Sequence, residues 1–233
     1  MSLSRFFCER DPQGDSLRLD GDEFHHLKNV RRTVAGDRVE IVNGRGRLIE
    51  GEVAHLRPRE AVIAVIRVKE TPAPVPRLFI APALTKPQAM NWMIEKLCEL
   101  GVDEIRPLLT ERTDAPWSAA ALRRWRKIAA QALKVNRRLW LTRVAEPVPL
   151  DSLGADTDGV PPAGKLFLEC GGDRSAARNW ELPALALIGP PGDFSSGEKE
   201  SLRRRGFRGI AINDCILRTE TAALAIAAII EYD

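Results

Sequence analysis

The chain has 233 residues, of which 44% are hydrophobic and 29% charged, and its formal net charge is only +3. That length suits one large domain or two modest ones, and so even a balance means that any nucleic-acid partner must be met by a local basic patch. No apolar run reaches membrane-spanning length, and the N-terminal MSLSRFFCERDPQGD lacks the apolar core of a secretory signal. Cys8, Cys98, Cys170 and Cys215 are far apart without a CxxC pair, and His25 and His26 are adjacent and cannot share a helix face. These features predict a cytoplasmic protein with reduced thiols, no membrane association and no metal site.

Residues 1–72 read as mostly strand, the pattern of a small β-barrel or β-sandwich. RVEIVNGRGRLIEGEV alternates around Asn43-Gly44, a hairpin signal, and Ala61–Val68 is a further β-rich run. One short helix is expected over Asp22–Arg32, with Phe24, Leu27 and Val30 on one face. In KETPAPVPR, Pro72, Pro74 and Pro76 mark a linker, so a second domain is placed at 73–233.

Beyond the linker, strands and helices alternate. Leu78–Leu84 is an apolar strand. The next helix turns Met90, Met93, Ile94 and Leu97 to one side and is closed by Gly101. Ile105–Leu109 is a strand, and SAAALRRWRKIAAQALK a helix with Leu122, Trp125, Ala129, Ala132 and Leu133 inward. Lys165–Glu169 and Leu185–Ile188 are strands. Ser195 and Glu198 form a capping box for a helix that Gly206 ends. GIAI is the last strand, and TETAALAIAAII the last helix. The alternation argues a parallel α/β sheet with helices on both faces. The last helix is apolar nearly all round, which favours a partner subunit over a central core helix in a monomer.

Dinucleotide, P-loop and nucleophile-elbow motifs are absent. Three strand ends carry distinctive loops instead: FLECGG (Phe167–Gly172), IGPPGD (Ile188–Asp193) and INDCILRTET (Ile212–Thr221). The second, with two glycines and two prolines, is either a plain tight turn or a loop whose backbone approaches a ligand. On parallel strands all three would share one edge of the sheet, where ligands of open α/β sheets bind. Arg218 and Glu220 flank the start of the last helix, with Thr219 as candidate N-cap. A first-turn acid suits the helix dipole, but an arginine there is easier to understand facing an anion or a π-rich ligand. Between Ala115 and Ala145 no acid occurs, while Arg123, Arg124, Arg126, Lys127, Lys134, Arg137, Arg138 and Arg143 interleave with Trp125 and Trp140. This is either a solvated helix face or a phosphate-contacting surface. Arg5, Lys28, Arg31 and Arg32 add to it.

Taken together, LTKPQAMNWMIEKLCELGVDEIRPLLTERT, IGPPGDFSSGEKESLRRRGF and ILRTETAALA resemble the ribosomal small subunit methyltransferase E family. RFF (Arg5–Phe7) and DGDEFHHLKNVRR are similar to that family's PUA-like RNA-binding domain. The resemblance covers nearly the whole chain. It implies a SPOUT-class enzyme: a homodimer that holds S-adenosylmethionine (SAM) in a C-terminal trefoil knot and methylates N3 of a uridine in bacterial 16S rRNA. It further implies that Leu168, Ile188, Gly189, Pro190, Gly192, Ile216, Leu217 and Arg218 line the cofactor pocket. Arg218 then stabilises negative charge on the uridine, and Glu220 either accepts the proton or orients Arg218. RNA contact falls to Arg5, Lys28, Arg31, Arg32, Arg123, Arg124, Arg126, Lys127, Arg137 and Arg138.

The chain departs from the family pattern in three places. Pro191 and Asp193 stand in a loop usually like G-P-E-G-G, with Asp193 the candidate substitute for the missing acid. Lys134, Val135, Asn136, Arg137 and Arg138 stand for E-Q-S-G-R. Asn213 and Cys215 replace a glycine and an arginine. Two competing readings are a SPOUT enzyme acting on another RNA site or atom, and an RNA-binding assembly factor without a working pocket.

Overall fold

The structure is a computed structural model that describes residues 3–113, 116–153, 163–173 and 181–232. The chain forms two compact units: Met1–Pro74 with Ala130–Leu141, and Val75–Ala129 with Thr142–Asp233. The boundary expected at 72/73 thus falls two residues later, and a segment from the middle of the second expected domain packs with the first.

The first unit is a five-stranded sheet of β1 (Ser4–Phe7), β2 (Ser16–Asp20), β3 (Arg38–Val42), β4 (Arg47–Leu56) and β5 (Glu60–Glu70), in the order β1-β3-β4-β5-β2. β1 and β3 run parallel and the other pairs antiparallel. Period-two alternation turns Leu17, Leu19, Val39, Ile41, Ile49, Val53, Ala61 and Ile63 into one core with Phe6. β1 and β2 are the sheet's edges, so strand pairing does not close the expected barrel; a helical segment adds Phe24 and Leu27 to the core.

That segment is α1 (Gly21–His25) continued by a π turn, His26–Val30. The wider turn rotates Val30 off the buried face, where it is 59% exposed, contrary to the helical spacing. Within the unit Lys134 reaches Glu23 at 2.7 Å, both side chains largely buried. The Asn43–Gly46 connection is longer than a two-residue turn. Asn43 Oδ1 accepts from the backbone N–H of Arg45 and Arg47. At Gly46 (φ 86°) an added Cβ would lie 2.6 Å from Trp140, so this glycine lets the segment around Trp140 pack directly on the loop.

The second unit carries a six-stranded, wholly parallel sheet. Its strands are β6 (Leu78–Pro82), β7 (Glu104–Ile105), β9 (Arg143–Val144), β11 (Gly164–Asp173), β12 (Ala184–Ile188) and β13 (Arg208–Ile210), in the order β13-β11-β12-β6-β7-β9. β8 (Leu108–Leu109) and β10 (Val148–Pro149) pair separately. The run expected as one strand, Ile105–Leu109, is therefore broken; Pro107 has no N–H for a ladder. β12 is buried along its whole length and lies between β11 and β6, as a central parallel strand should.

One sheet face packs Phe79, Ala81, Phe167, Leu185 and Leu187 against Phe194, Leu202 and Phe207, with Leu202 from α4 (Ser196–Arg204). α5 (Thr219–Tyr232) lies on β6 and β12, and α2 (Pro87–Leu100) packs on α5. In α2 the predicted Met90, Met93, Ile94 and Leu97 are buried, and Gly101 ends the helix at φ 91°. In α3 (Ala119–Asn136) all five predicted inward residues are buried. α5 is not buried on every side within one chain. Ala222, Ala223, Ile226, Ala227 and Ile230 are buried, whereas Leu224, Ala225, Ala228 and Ile229 are only half-buried.

Candidate cofactor cleft and basic surfaces

β11, β12 and β13 are mutually parallel, so their C-terminal ends lie along one edge of the sheet. The strand expected to end at Glu169 runs on to Asp173, so FLECGG is part of β11 rather than a loop. Leu168–Cys170 of that strand, the loops after β12 and β13 and the first turn of α5 line a cleft of about 270 Å3. That is just below the roughly 300–1,000 Å3 of small-molecule sites. Leu168, Ile188, Gly189, Pro190, Gly192, Ile216 and Leu217 line it. Arg218 does not: its carbonyl accepts the first intrahelical bond of α5, from Ala222 N at 2.8 Å, and its side chain is exposed. The lining residues on either side of it, Leu217 and Thr219, keep it at the cleft mouth. Glu220 is half-buried in the first turn and lies outside the lining. Thr219 is not the N-cap. Its hydroxyl is spent on the Gly189 carbonyl at 2.9 Å, a buried bond that ties α5 to the glycine–proline loop.

That loop is both a turn and a close approach. Asp193 N donates to Pro190 O at 2.9 Å, with Pro191 and Gly192 (φ 91°) at the two corners. Proline followed by a positive-φ glycine is the residue order of a type II turn, so Pro191 suits the position. A Cβ on Gly189 would lie 3.0 Å from Phe194 N and 3.2 Å from the Phe194 ring, so a side chain there would crowd the chain's own turn. The capping box holds as expected: Ser195 Oγ accepts from Glu198 N and Glu198 Oε2 from Ser195 N.

Sequence reasoning missed the polar frame of the cleft. Glu169 lines it and pairs with Arg203 at 2.6 Å, while Lys199 stands between Glu169 and Asp193, at 3.7 and 2.6 Å. Asp193 also accepts from Phe194 N at 2.7 Å. Its carboxylate is thus committed to Lys199 and its own loop, which removes it as a substitute for the acid missing from the family pattern. Cys170 and Cys215 are exposed on the cleft walls. Behind the loop, Arg112 Nη1 donates to the carbonyls of Gly192 and Asp193. Glu198 Oε1 accepts from Glu111 N at 2.8 Å. The sequence TERT carried the only signal for Arg112, as part of the family resemblance.

A profile for the RNA methyltransferase domain matches residues 71–231, and one for an RNA methyltransferase PUA domain matches residues 19–67. The chain belongs to the RNA methyltransferase family. The resemblance read from the methyltransferase's sequence motifs is borne out by its relatives. A ribosomal RNA small subunit methyltransferase E of Synechocystis is 28% identical, over 89% of this chain and 70% of its own length. Among solved structures, a probable rRNA-methyltransferase of Porphyromonas gingivalis is 30% identical over 99% of this chain and 98% of its own, with a TM-score of 0.87. A ribosomal RNA small subunit methyltransferase E of Neisseria gonorrhoeae bound to S-adenosyl methionine shares the fold at 23% identity. Its TM-score is 0.84, over 99% of this chain and 98% of its own.

The predicted RNA-contacting residues of the methyltransferase divide. In the first unit Lys28, Arg31, Arg32 and Arg137 are exposed and Arg138 half-buried. In the second, Arg123, Arg124, Arg126 and Lys127 are exposed on α3. Arg5 is different. Its side chain is 9% exposed and pairs with Glu40 at 2.8 Å across β1 and β3, so it braces the sheet rather than presenting charge to solvent. Lys134, counted in the acid-free run, is likewise spent on Glu23. Among the described residues no helix is long and apolar enough to cross a membrane.

Proposed function

We propose that the chain is a SAM-dependent methyltransferase that modifies N3 of a uridine in 16S rRNA and works as a homodimer. The single observation that carries this reading is the cleft lined by β11 and by the loops after β12 and β13, with the Pro190–Asp193 turn as one wall. The residues fit the cofactor. Ile188, Ile210 and Leu217 offer apolar walls for a purine, and the Gly189–Gly192 backbone gives it room. Leu168, Ile188, Gly189, Pro190, Gly192, Ile216 and Leu217 are the cofactor contacts. SAM supplies an electrophilic methyl group on a sulfonium. The fold is of the SPOUT type with a trefoil knot. That reading rests on the family resemblance and on the RNA methyltransferase profile over residues 71–231.

The chain's own residues must then handle charge and a proton. As the N3 proton leaves, negative charge spreads to the uracil carbonyl oxygens, and a positioned cation lowers that barrier. Arg218 supplies it: exposed at the cleft mouth, it has no side-chain hydrogen bond or ion pair among the described residues. Glu220 makes no ion pair with Arg218, which supports the proton-accepting role over the orienting one. The exposed lysines and arginines of both units contact RNA phosphate. The test has two parts. Calorimetric titration with SAM is expected to show micromolar binding. Nucleoside analysis of small subunits treated with enzyme and SAM is expected to show 3-methyluridine, lost with Arg218→Ala. Methylation of a different atom would refute the N3 assignment, and near-normal turnover of Arg218→Ala would remove Arg218 from the chemistry.

A further inference from the structure

Arg112 sits in a short loop after β8 that is closed on itself. Thr113 N donates to Thr110 O at 3.1 Å, Thr110 N to Thr113 Oγ1 at 2.9 Å, and the two hydroxyls meet at 2.9 Å. The loop is also clipped to the start of α4 through Glu111 N and Glu198. So fixed, it delivers the exposed Arg112 side chain to the outer side of the glycine–proline loop. There one guanidinium nitrogen donates to the carbonyl of Gly192 and, at 3.3 Å, to that of Asp193. Beyond the Gly192 carbonyl, the same peptide's N–H, on Asp193, donates to Pro190 O. A continuous chain of hydrogen bonds therefore runs from a fixed cation into the turn that lines the cleft, and such chains polarise and strengthen one another.

We infer that Arg112 is a positioning residue for methyl transfer: it acts through the Gly192 and Asp193 carbonyls to hold the Pro190–Asp193 turn in its ligand-ready shape. The inference rests on the cleft being the SAM site. The chemistry explains why a cation is needed. Asp193 is a non-glycine residue at φ 67°, and the donor that meets its carbonyl and that of Gly192 is Arg112 Nη1, from outside the turn. Arginine is always charged, and its Nη1 carries two N–H donors in a fixed plane that meet the two adjacent carbonyls.

Arg112→Ala is expected to weaken SAM binding about tenfold, the effect of losing a charge-assisted hydrogen bond. In turnover it should raise the KM for SAM while leaving the KM for small subunits and the melting temperature near wild type, because the side chain is exposed. Arg112→Lys should recover part of the affinity. Millimolar guanidinium ion should recover part of it in Arg112→Ala and leave wild type unchanged. Unchanged SAM affinity in Arg112→Ala would overturn the inference, as would a loss of affinity that only tracks a loss of thermal stability. A wild-type protein that binds no SAM would instead overturn the reading of the cleft on which the inference stands.

Discussion

Arg32, Arg137 and Asp193 hold φ angles of 52°, 60° and 67°, a region that costs a residue with a Cβ about 1–2 kcal/mol. Two of the three, Arg137 and Asp193, stand where the family pattern has glycine. Asp193 is over-determined by Arg112 on its carbonyl and by Lys199 and Phe194 N on its carboxylate. Arg137 directly follows the last residue of α3, where left-handed glycine is a common terminator. Arg137→Gly should therefore stabilise the protein by about 1 kcal/mol, raising the melting temperature by roughly 2–4 °C, while weakening affinity for RNA. A lower melting temperature would show that the arginine side chain, not its backbone, dominates there. His26 offers a second test. Burial first, and then the charge of Lys134, push its pKa below the ordinary 6.5. The unfolded chain thus binds this proton first as pH falls, so stability is fully present above 6.5 and declines as pH drops from there through the folded value. His26→Gln should flatten that decline, measured by urea midpoints at pH 7.5 and 5; an unaltered slope would assign it to other groups.

At the scale of elements, one carboxylate holds two of them. Glu198 is 6% exposed and accepts from Ser195 N, as the N-terminal cap of α4, and from Glu111 N in the loop that carries Arg112. Glu198→Ala leaves Ser195 Oγ capping the helix but deprives two backbone donors, Ser195 N and Glu111 N, of their acceptor, together roughly 2–3 kcal/mol. The expected result is a lower denaturation midpoint together with weaker SAM binding; full SAM affinity would mean the two loops are not coupled through it. The first of these bonds was readable in the sequence, because S-x-x-E spacing is local. The second joins residues 87 apart, and no local pattern encodes it. The same distinction separates the other elements. Gly and Pro marked the loop after β12, whereas INDCILRTET after β13 carries neither, and 3.6-residue periodicity placed α2 and α3 correctly. Periodicity failed at Val30, where a π turn shifts the face by one residue, and at Pro107, which splits an apolar run into strands of different sheets. No local pattern encodes the partners of Arg112 and Glu169, since what defines them is the element they meet.

For the whole molecule, strand–helix alternation was enough to predict the parallel sheet, because each helix must cover a face of it. The return of 130–141 to the first unit was not readable: the apolar spacing of α3 runs unbroken from Leu122 to Leu133 and does not say what each half packs against. α5 poses the remaining question at this scale. Its buried side is Ala222, Ala223, Ile226, Ala227 and Ile230; its opposite side is the half-buried Leu224, Ala225, Ala228 and Ile229, with no charge between Glu220 and Glu231. Ile216, just before the helix, is 87% exposed. A contiguous apolar face of this kind in a charged protein is the mark of an interface, and a symmetric pair is the commonest way to cover one. If α5 is that interface, wild type sediments at twice the monomer mass of 25.8 kDa. Leu224→Glu with Ile229→Glu then sediments at the monomer mass with an unchanged circular dichroism spectrum, because each charge would face its copy across a desolvated contact. A wild-type monomer would dismiss the dimer altogether, and a variant that stays dimeric would move the interface off α5.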